Sequence, residues 1–206
     1  GVVDSSGILQ LEQLPEHLIV IGGGVIGCEF ACMYASVGIP VTVLETLPEI
    51  CPSLDKDIAA VLREELIKKG VDFKLNARVE AIEQNYVRFT NGVDSEEVRG
   101  DLILVATGRK PNVNNLGLEE LGLDFDPRGV RTDERGATNI PGLWAAGDVT
   151  GQAWLAHAAS RMAEVVVHNI LGRDDMIRHD KMPAVVYTSP EVAVVGLTKE
   201  DAEARG

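Results

Sequence analysis

The chain is short of positive charge. Lysine and arginine number 19 against 32 aspartates and glutamates, for a formal net charge of −13. Nucleic-acid binders draw affinity from clustered Lys and Arg, and anionic membrane surfaces attract the same residues. The composition therefore predicts neither a nucleic-acid nor a membrane partner. No apolar run approaches the roughly 18–20 residues of a spanning helix; the longest, residues 18–24 and 102–106, are of strand length. Residues 1–7 lack the basic start and apolar stretch of a secretory signal. The three cysteines are too few, and odd in number, for a secreted disulfide framework. Together these absences predict a soluble chain in a reducing, cytoplasmic setting.

Apolar residues are plentiful. At 45% they can build a real core, and 206 residues allow one large domain or two small ones. Residues 17–21 form an apolar run ending in Gly22-Gly23-Gly24, the pattern of a buried parallel strand stopped by a glycine turn. A helix is expected next, with Val25, Ile26, Phe30, Met33 and Val37 as its apolar stripe and Gly38 as its stop. The β-branched run 41–44 predicts a second strand, completing a βαβ unit. A second helix is expected after Ser53 as cap, with Asp55 and Asp57 in its first turn and Ile58, Val61, Leu62 and Leu66 buried. Period-two stretches at 71–75, 78–82, 86–90 and 93–99, with Asn91-Gly92 as a hairpin signal, predict an antiparallel β-meander. Further buried strands are expected at 101–106 and 143–146, a long helix at 154–171, two strands within 182–196 and a helix from Thr198.

Gly22-Gly23-Gly24-Val25-Ile26-Gly27 fits the dinucleotide-binding pattern G-x-G-x-x-G. In that pattern the first glycine makes a tight turn, the second admits a pyrophosphate, and the third lets the helix pack on the strand. The helix amino terminus then offers N–H groups and partial positive charge to phosphate. The match follows a predicted strand, opens a predicted helix, and is followed about 20 residues on by Glu45, the spacing of a ribose-binding acid. A carboxylate there accepts hydrogen bonds from ribose hydroxyls and repels a 2′-phosphate, which favours NAD over NADP. The next basic residue along the chain is Lys56.

Five strings in order carry a resemblance: residues 20–29, then Ala106-Thr107-Gly108-Arg109-Lys110-Pro111-Asn112, residues 138–148 ending in Gly147-Asp148, Leu155-Ala156-His157-Ala158, and residues 187–193. On these the chain resembles the FAD- and NAD-dependent disulfide oxidoreductases, most closely their dihydrolipoamide dehydrogenase branch. The resemblance implies an α/β, Rossmann-like FAD/NAD(P)-binding fold: a parallel sheet flanked by helices, with an antiparallel meander and an incomplete second half of an FAD domain. It implies an NAD domain at 1–112, the second half of an FAD domain at 113–181 and the start of a dimerisation domain at 182–206. The implied cofactors are NAD and FAD. Glu29 would sit near the nicotinamide, Thr107, Gly108 and Arg109 where the chain returns to the FAD domain, and Asp148 on the ribityl or ribose region of FAD. Leu155, Ala156 and His157 would open a helix whose amino terminus faces the flavin ring, where reduction places negative charge.

Read without the family, Glu29 is equally an acid favoured by a helix amino terminus, Asp148 a turn residue, and His157 a helix residue with no ligand. The family commonly has lysine where this chain has Ala158. Its redox cysteine pair belongs to an amino-terminal FAD segment and its catalytic histidine to a carboxy-terminal domain. His17, His168 and His179 do not match that histidine, so no catalytic residue is assigned in this chain. Cys28 and Cys32 read as small buried hydrophobes, Cys51 as a loop cysteine with no visible base, and no metal site is expected. The implied partners are a second copy, as a homodimer, and a lipoyl-bearing protein of a 2-oxo acid dehydrogenase or glycine cleavage system. A different disulfide or mercuric reductase, and a cofactor-binding module without redox chemistry, are the alternatives.

Overall fold

Short apolar runs become the middle of a parallel sheet. The computed structural model describes residues Gly1–Gly206. Strands β1 (Val2–Val3), β2 (Leu18–Ile21), β3 (Val41–Leu44), β4 (Val71–Lys74) and β8 (Leu102–Val105) pair in the order β1-β8-β2-β3-β4, all parallel. Helix α1 (Val25–Ser36) joins β2 to β3, and α2 (Lys56–Lys68) joins β3 to β4. The return to β8 runs through an antiparallel three-stranded meander of β5 (Arg78–Ile82), β6 (Tyr86–Thr90) and β7 (Ser95–Arg99). Side chains alternate across the sheet. Leu18, Val20, Val41, Val43, Leu102 and Leu104 pack under the two helices. Ile19, Ile21, Leu44 and Ile103 pack on Ala77, Val87 and Phe89 of the meander side. The central strands are buried on both faces, which is why they read as continuous apolar runs.

The chain divides into two compact units, Gly1–Gly108 with Val185–Gly206, and Arg109–Ala184. In the first unit, β11 (Ala184–Val186) and β12 (Val192–Val194) form a two-stranded sheet, and α4 (Lys199–Arg205) follows. Thr198 caps α4 by accepting a hydrogen bond from the Asp201 N–H. The second unit holds the hairpin β9 (Phe125–Asp126) and β10 (Gly129–Val130), and the long helix α3 (Ala156–Ile170). No helix of the chain is long and apolar enough to cross a membrane.

The parallel sheet flanked by helices and the antiparallel meander are as expected; several details differ. Helix α1 buries its large apolar stripe only in part: Val25 and Phe30 pack against the core, Met33 and Val37 are exposed, and the buried face is Gly27, Cys28, Ala31, Cys32, Tyr34 and Ala35. Small residues let the helix approach the strands closely. In α2 the buried residues are Ala59, Leu62 and Leu66, while Ile58 and Val61 face solvent. Its cap position is Asp55, not Ser53, and the Asp55 carboxylate accepts a hydrogen bond from the Lys199 N–H at 2.6 Å instead of capping the helix. Residues 71–75 belong to the edge of the parallel sheet, not to the meander. Residues 143–146 form no strand; only Trp144 pairs, in one bridge to Ala137, and Leu143 is exposed.

Candidate functional site

The strand order puts the end of β2 between the ends of β3 and β8, a switch point where chain connections leave in opposite directions. Such crevices, outside the carboxyl ends of strands, are where open α/β sheets bind ligands. Three of the glycines after β2 are there for different reasons. Gly22 has φ +107°, and a Cβ on it would lie 2.5 Å from the Ala106 carbonyl oxygen. A Cβ on Gly27 would lie 1.9 Å from the Gly22 carbonyl oxygen, so α1 packs on the loop only without a side chain there. Gly24 is open, with nothing within 4 Å of its Cβ position. It is also the cap residue of α1 and offers that helix no side-chain hydrogen bond. The first helical donor already used is the Cys28 N–H, on the Gly24 carbonyl at 2.9 Å. A bare helix amino terminus beside open space accepts an anion.

Glu45 closes the site from the end of β3. Its carboxylate is buried and accepts a hydrogen bond from the Gly23 N–H at 2.6 Å, from the Leu47 N–H at 2.8 Å and from the Thr46 hydroxyl at 3.1 Å. A carboxylate offers roughly four acceptor directions, so capacity remains for a ligand hydroxyl. The tie between Glu45 and the glycine loop was not legible in the motif. Four residues after Glu45 the loop bends toward α2: the Glu49 carboxylate accepts hydrogen bonds from Nε and a terminal nitrogen of Arg63, at 2.9 and 3.0 Å. Arg63 holds the Glu49 carboxyl below its ordinary range against the opposing effect of burial.

Val25 and Ile26, in the first turn of α1, are half-buried. Glu29, one turn on, accepts a hydrogen bond from the Tyr187 N–H at 2.9 Å, a contact that ties α1 to the segment between β11 and β12. Thr107 and Gly108 follow β8; the Cβ position of Gly22 is 3.3 Å from the Thr107 Cα, and Gly108 is exposed with φ +107°. Gly22, Gly23, Gly24, Gly27, Glu45 and Thr107 are thus brought together in the first unit.

Arg109, Gly147, Asp148, Leu155, Ala156 and His157 belong to the second unit. Gly147 has φ +80° and its carbonyl accepts a hydrogen bond from the Thr150 hydroxyl at 2.8 Å; Asp148 is exposed. Leu155 caps α3 without a side-chain hydrogen bond, so this helix too has a bare amino terminus. His157 is exposed, and its Nε2 is 2.8 Å from the Pro183 carbonyl oxygen. No group of three or more metal-binding side chains is assembled. All three cysteines are free and buried, the loop residue Cys51 included.

Residues 1–163 match the family described as pyridine nucleotide-disulphide oxidoreductase. The chain belongs to this family. It is 40% identical over 205 residues to the dihydrolipoyl dehydrogenase of Chlamydia pneumoniae, covering 98% of this chain and 44% of that protein. Dihydrolipoyl dehydrogenase 3 of Pseudomonas aeruginosa is 41% identical over 98% of this chain and 45% of its own length. Among solved structures, the HOCl-induced flavoprotein disulfide reductase RclA from Escherichia coli superposes with a TM-score of 0.88 at 36% identity, over 100% of this chain and 48% of that one. LpdA from Mycobacterium tuberculosis gives 0.88 at 33% identity, over 98% and 45%. The chain therefore spans just under half the length of the family members it matches.

Proposed function

We propose that the chain is the NAD-binding portion of a dihydrolipoyl dehydrogenase, in which electrons pass from dihydrolipoamide through a disulfide and FAD to NAD. The observation that carries the reading is the buried Glu45 carboxylate, bonded to the Gly23 N–H beside the open Gly24 position. On this reading the pyrophosphate lies over Gly24 at the α1 amino terminus, and the adenine ribose hydroxyls donate to Glu45. A 2′-phosphate would meet a buried carboxylate, and Arg63, which reaches back toward the same loop, is already paired with Glu49. Glu29 would hold the nicotinamide end. NAD, when bound, supplies the hydride acceptor; the residues here orient it and keep its charge matched.

The second unit is proposed as the later half of the FAD domain (113–181), with Gly147, Asp148, Leu155, Ala156 and His157 toward the flavin, and residues 182–206 as the start of a dimerisation domain. The bare amino terminus of α3 supports this, since reduced flavin is anionic and a helix amino terminus stabilises it. A homodimer, a lipoyl-bearing protein of a 2-oxo acid dehydrogenase or glycine cleavage system, and a cytoplasmic setting complete the reading. The 206-residue chain alone is expected to form no NADH from dihydrolipoamide, because its thiols are buried.

Calorimetric titration with NAD, NADP and FAD in parallel tests the central part. NAD should bind at least about tenfold tighter than NADP, a gap of about 1.4 kcal/mol, and Glu45→Gln should narrow that gap. Equal binding of the two nucleotides by the unaltered chain would refute the role given to Glu45.

A further inference from the structure

Two cysteines meet beneath the glycine loop. The Gly23 carbonyl accepts a hydrogen bond from the Cys51 N–H at 2.9 Å and another from the Cys28 thiol at 3.3 Å. The shared acceptor seats the Cys28 sulfur beside the backbone of Cys51. They come from different elements: Cys28 from the first turn of α1, Cys51 from the loop between β3 and α2 that also carries Glu49. Cys51 has φ 46°, an uncommon backbone for a residue other than glycine. Both are completely buried in the same core cluster. Cys32, a turn further along α1, is committed elsewhere: its sulfur accepts a hydrogen bond from the Ser189 N–H at 3.3 Å.

We propose that Cys28 and Cys51 form an oxidation site, a dithiol that closes to an intramolecular disulfide beneath the glycine loop when it meets a peroxide. In the closed loop the thiols do not react. Burial shuts out the oxidant, and the neighbouring thiol and burial push Cys28 upward, away from the thiolate that attacks. The reaction proceeds when the loop after β3 opens and exposes Cys51. The Cys51 sulfur takes one oxygen of the peroxide, becoming S–OH, and the other oxygen leaves as water with the thiol proton. The Cys28 sulfur then attacks the Cys51 sulfur, forming the S–S bond, and the hydroxyl leaves with the Cys28 proton as a second water. Two thiols lose two electrons and two protons, and the peroxide becomes two waters. The product removes the S–H donor from Gly23 and ties the loop covalently to α1. A dithiol reductant reverses it.

The test treats the folded 206-residue chain with hydrogen peroxide, denatures it, alkylates the remaining thiols and digests it after glutamate. Glu29, Glu45 and Glu49 place the three cysteines on separate peptides. The expected result is loss of two of the three alkylatable thiols, a linked pair of peptides carrying Cys28 and Cys51, and recovery of all three thiols after reduction. Cys32→Ser should leave the link intact, and Cys51→Ser should abolish it. Because the unaltered chain gives the decisive mass, the result does not depend on a variant folding. A link through Cys32, higher sulfur oxides without a link, or three free thiols throughout would overturn the proposal. One further arm rests on the nucleotide reading: NADH at ten times its Kd should slow the oxidation about tenfold by holding the loop closed. An unchanged rate with NADH demonstrably bound would overturn loop opening as the route. Failure of NADH to bind at all would instead refute the nucleotide reading.

Discussion

Residues of one type do different work in the glycine loop, and substitution separates their roles. Gly27→Ala places a carbon inside contact distance of the Gly22 carbonyl, so the helix must shift. It should cost at least about 2 kcal/mol, within the range for overpacked sites, as chemical denaturation would measure. Glu45→Gln should weaken the chain less, because the amide oxygen still accepts the Gly23 N–H; Glu45→Ala leaves that N–H unpaired, a loss of about 1–3 kcal/mol. A third residue gives a pH dependence. Asp175 is held by Arg161 at 2.6 Å and His168 at 2.7 Å, and these partners depress its pKa from 3.8 to about 2. A depressed carboxyl contributes stability above its unfolded value and loses it as pH falls through the folded one. The difference in melting temperature between the unaltered chain and Asp175→Asn should therefore shrink between about pH 4 and pH 2. A constant difference across that window would mean the pair adds nothing to folding.

At the scale of elements, α1 shows where hydrophobic periodicity misleads. Its stripe of Val25, Ile26, Phe30, Met33 and Val37 is the more apolar face by side-chain size, yet Met33 and Val37 face solvent. The sheet wants a close helix, and Gly27, Cys28, Ala31 and Ala35 provide it. Ala31→Leu should therefore cost about 1–3 kcal/mol, whereas Met33→Glu should change stability by less than about 0.5 kcal/mol; denaturant midpoints decide both. The strands β2, β3 and β8 were legible because burial on both faces leaves continuous apolar runs bounded by glycine or charge. The β4 strand was misassigned for the converse reason. At the sheet edge only one side is covered, so its pattern alternates like a meander strand. The glycine loop and Glu45 were legible from spacing alone. The Gly23–Glu45 hydrogen bond, the Glu49–Arg63 pair, the Glu29–Tyr187 contact and the meeting of Cys28 with Cys51 were not. Each joins segments whose proximity only the folded chain sets. Residues 143–146 read as a strand from composition, but a strand needs a neighbour to pair with, and here only Trp144 finds one.

For the whole molecule, the two units differ in how much core they own. The first buries a large cluster under α1 and α2 and a second against the meander. The second unit has only two small clusters, around Val113 and Leu123 and around Met162 and Val165. Amides of β2, β3 and β8 should exchange slowest, and those of 109–184 faster, in native-state hydrogen exchange; equal protection of both units would contradict this. The central claim concerns the glycine loop, and Gly24→Val tests it most directly. Gly24 has an extended backbone that valine adopts readily, and its Cβ position is open. The variant should keep the circular dichroism and melting temperature of the unaltered chain while NADH binding, followed by calorimetric titration, weakens at least about tenfold. A folded Gly24→Val chain that binds NADH as well as the unaltered one would show that the nucleotide does not lie over this loop.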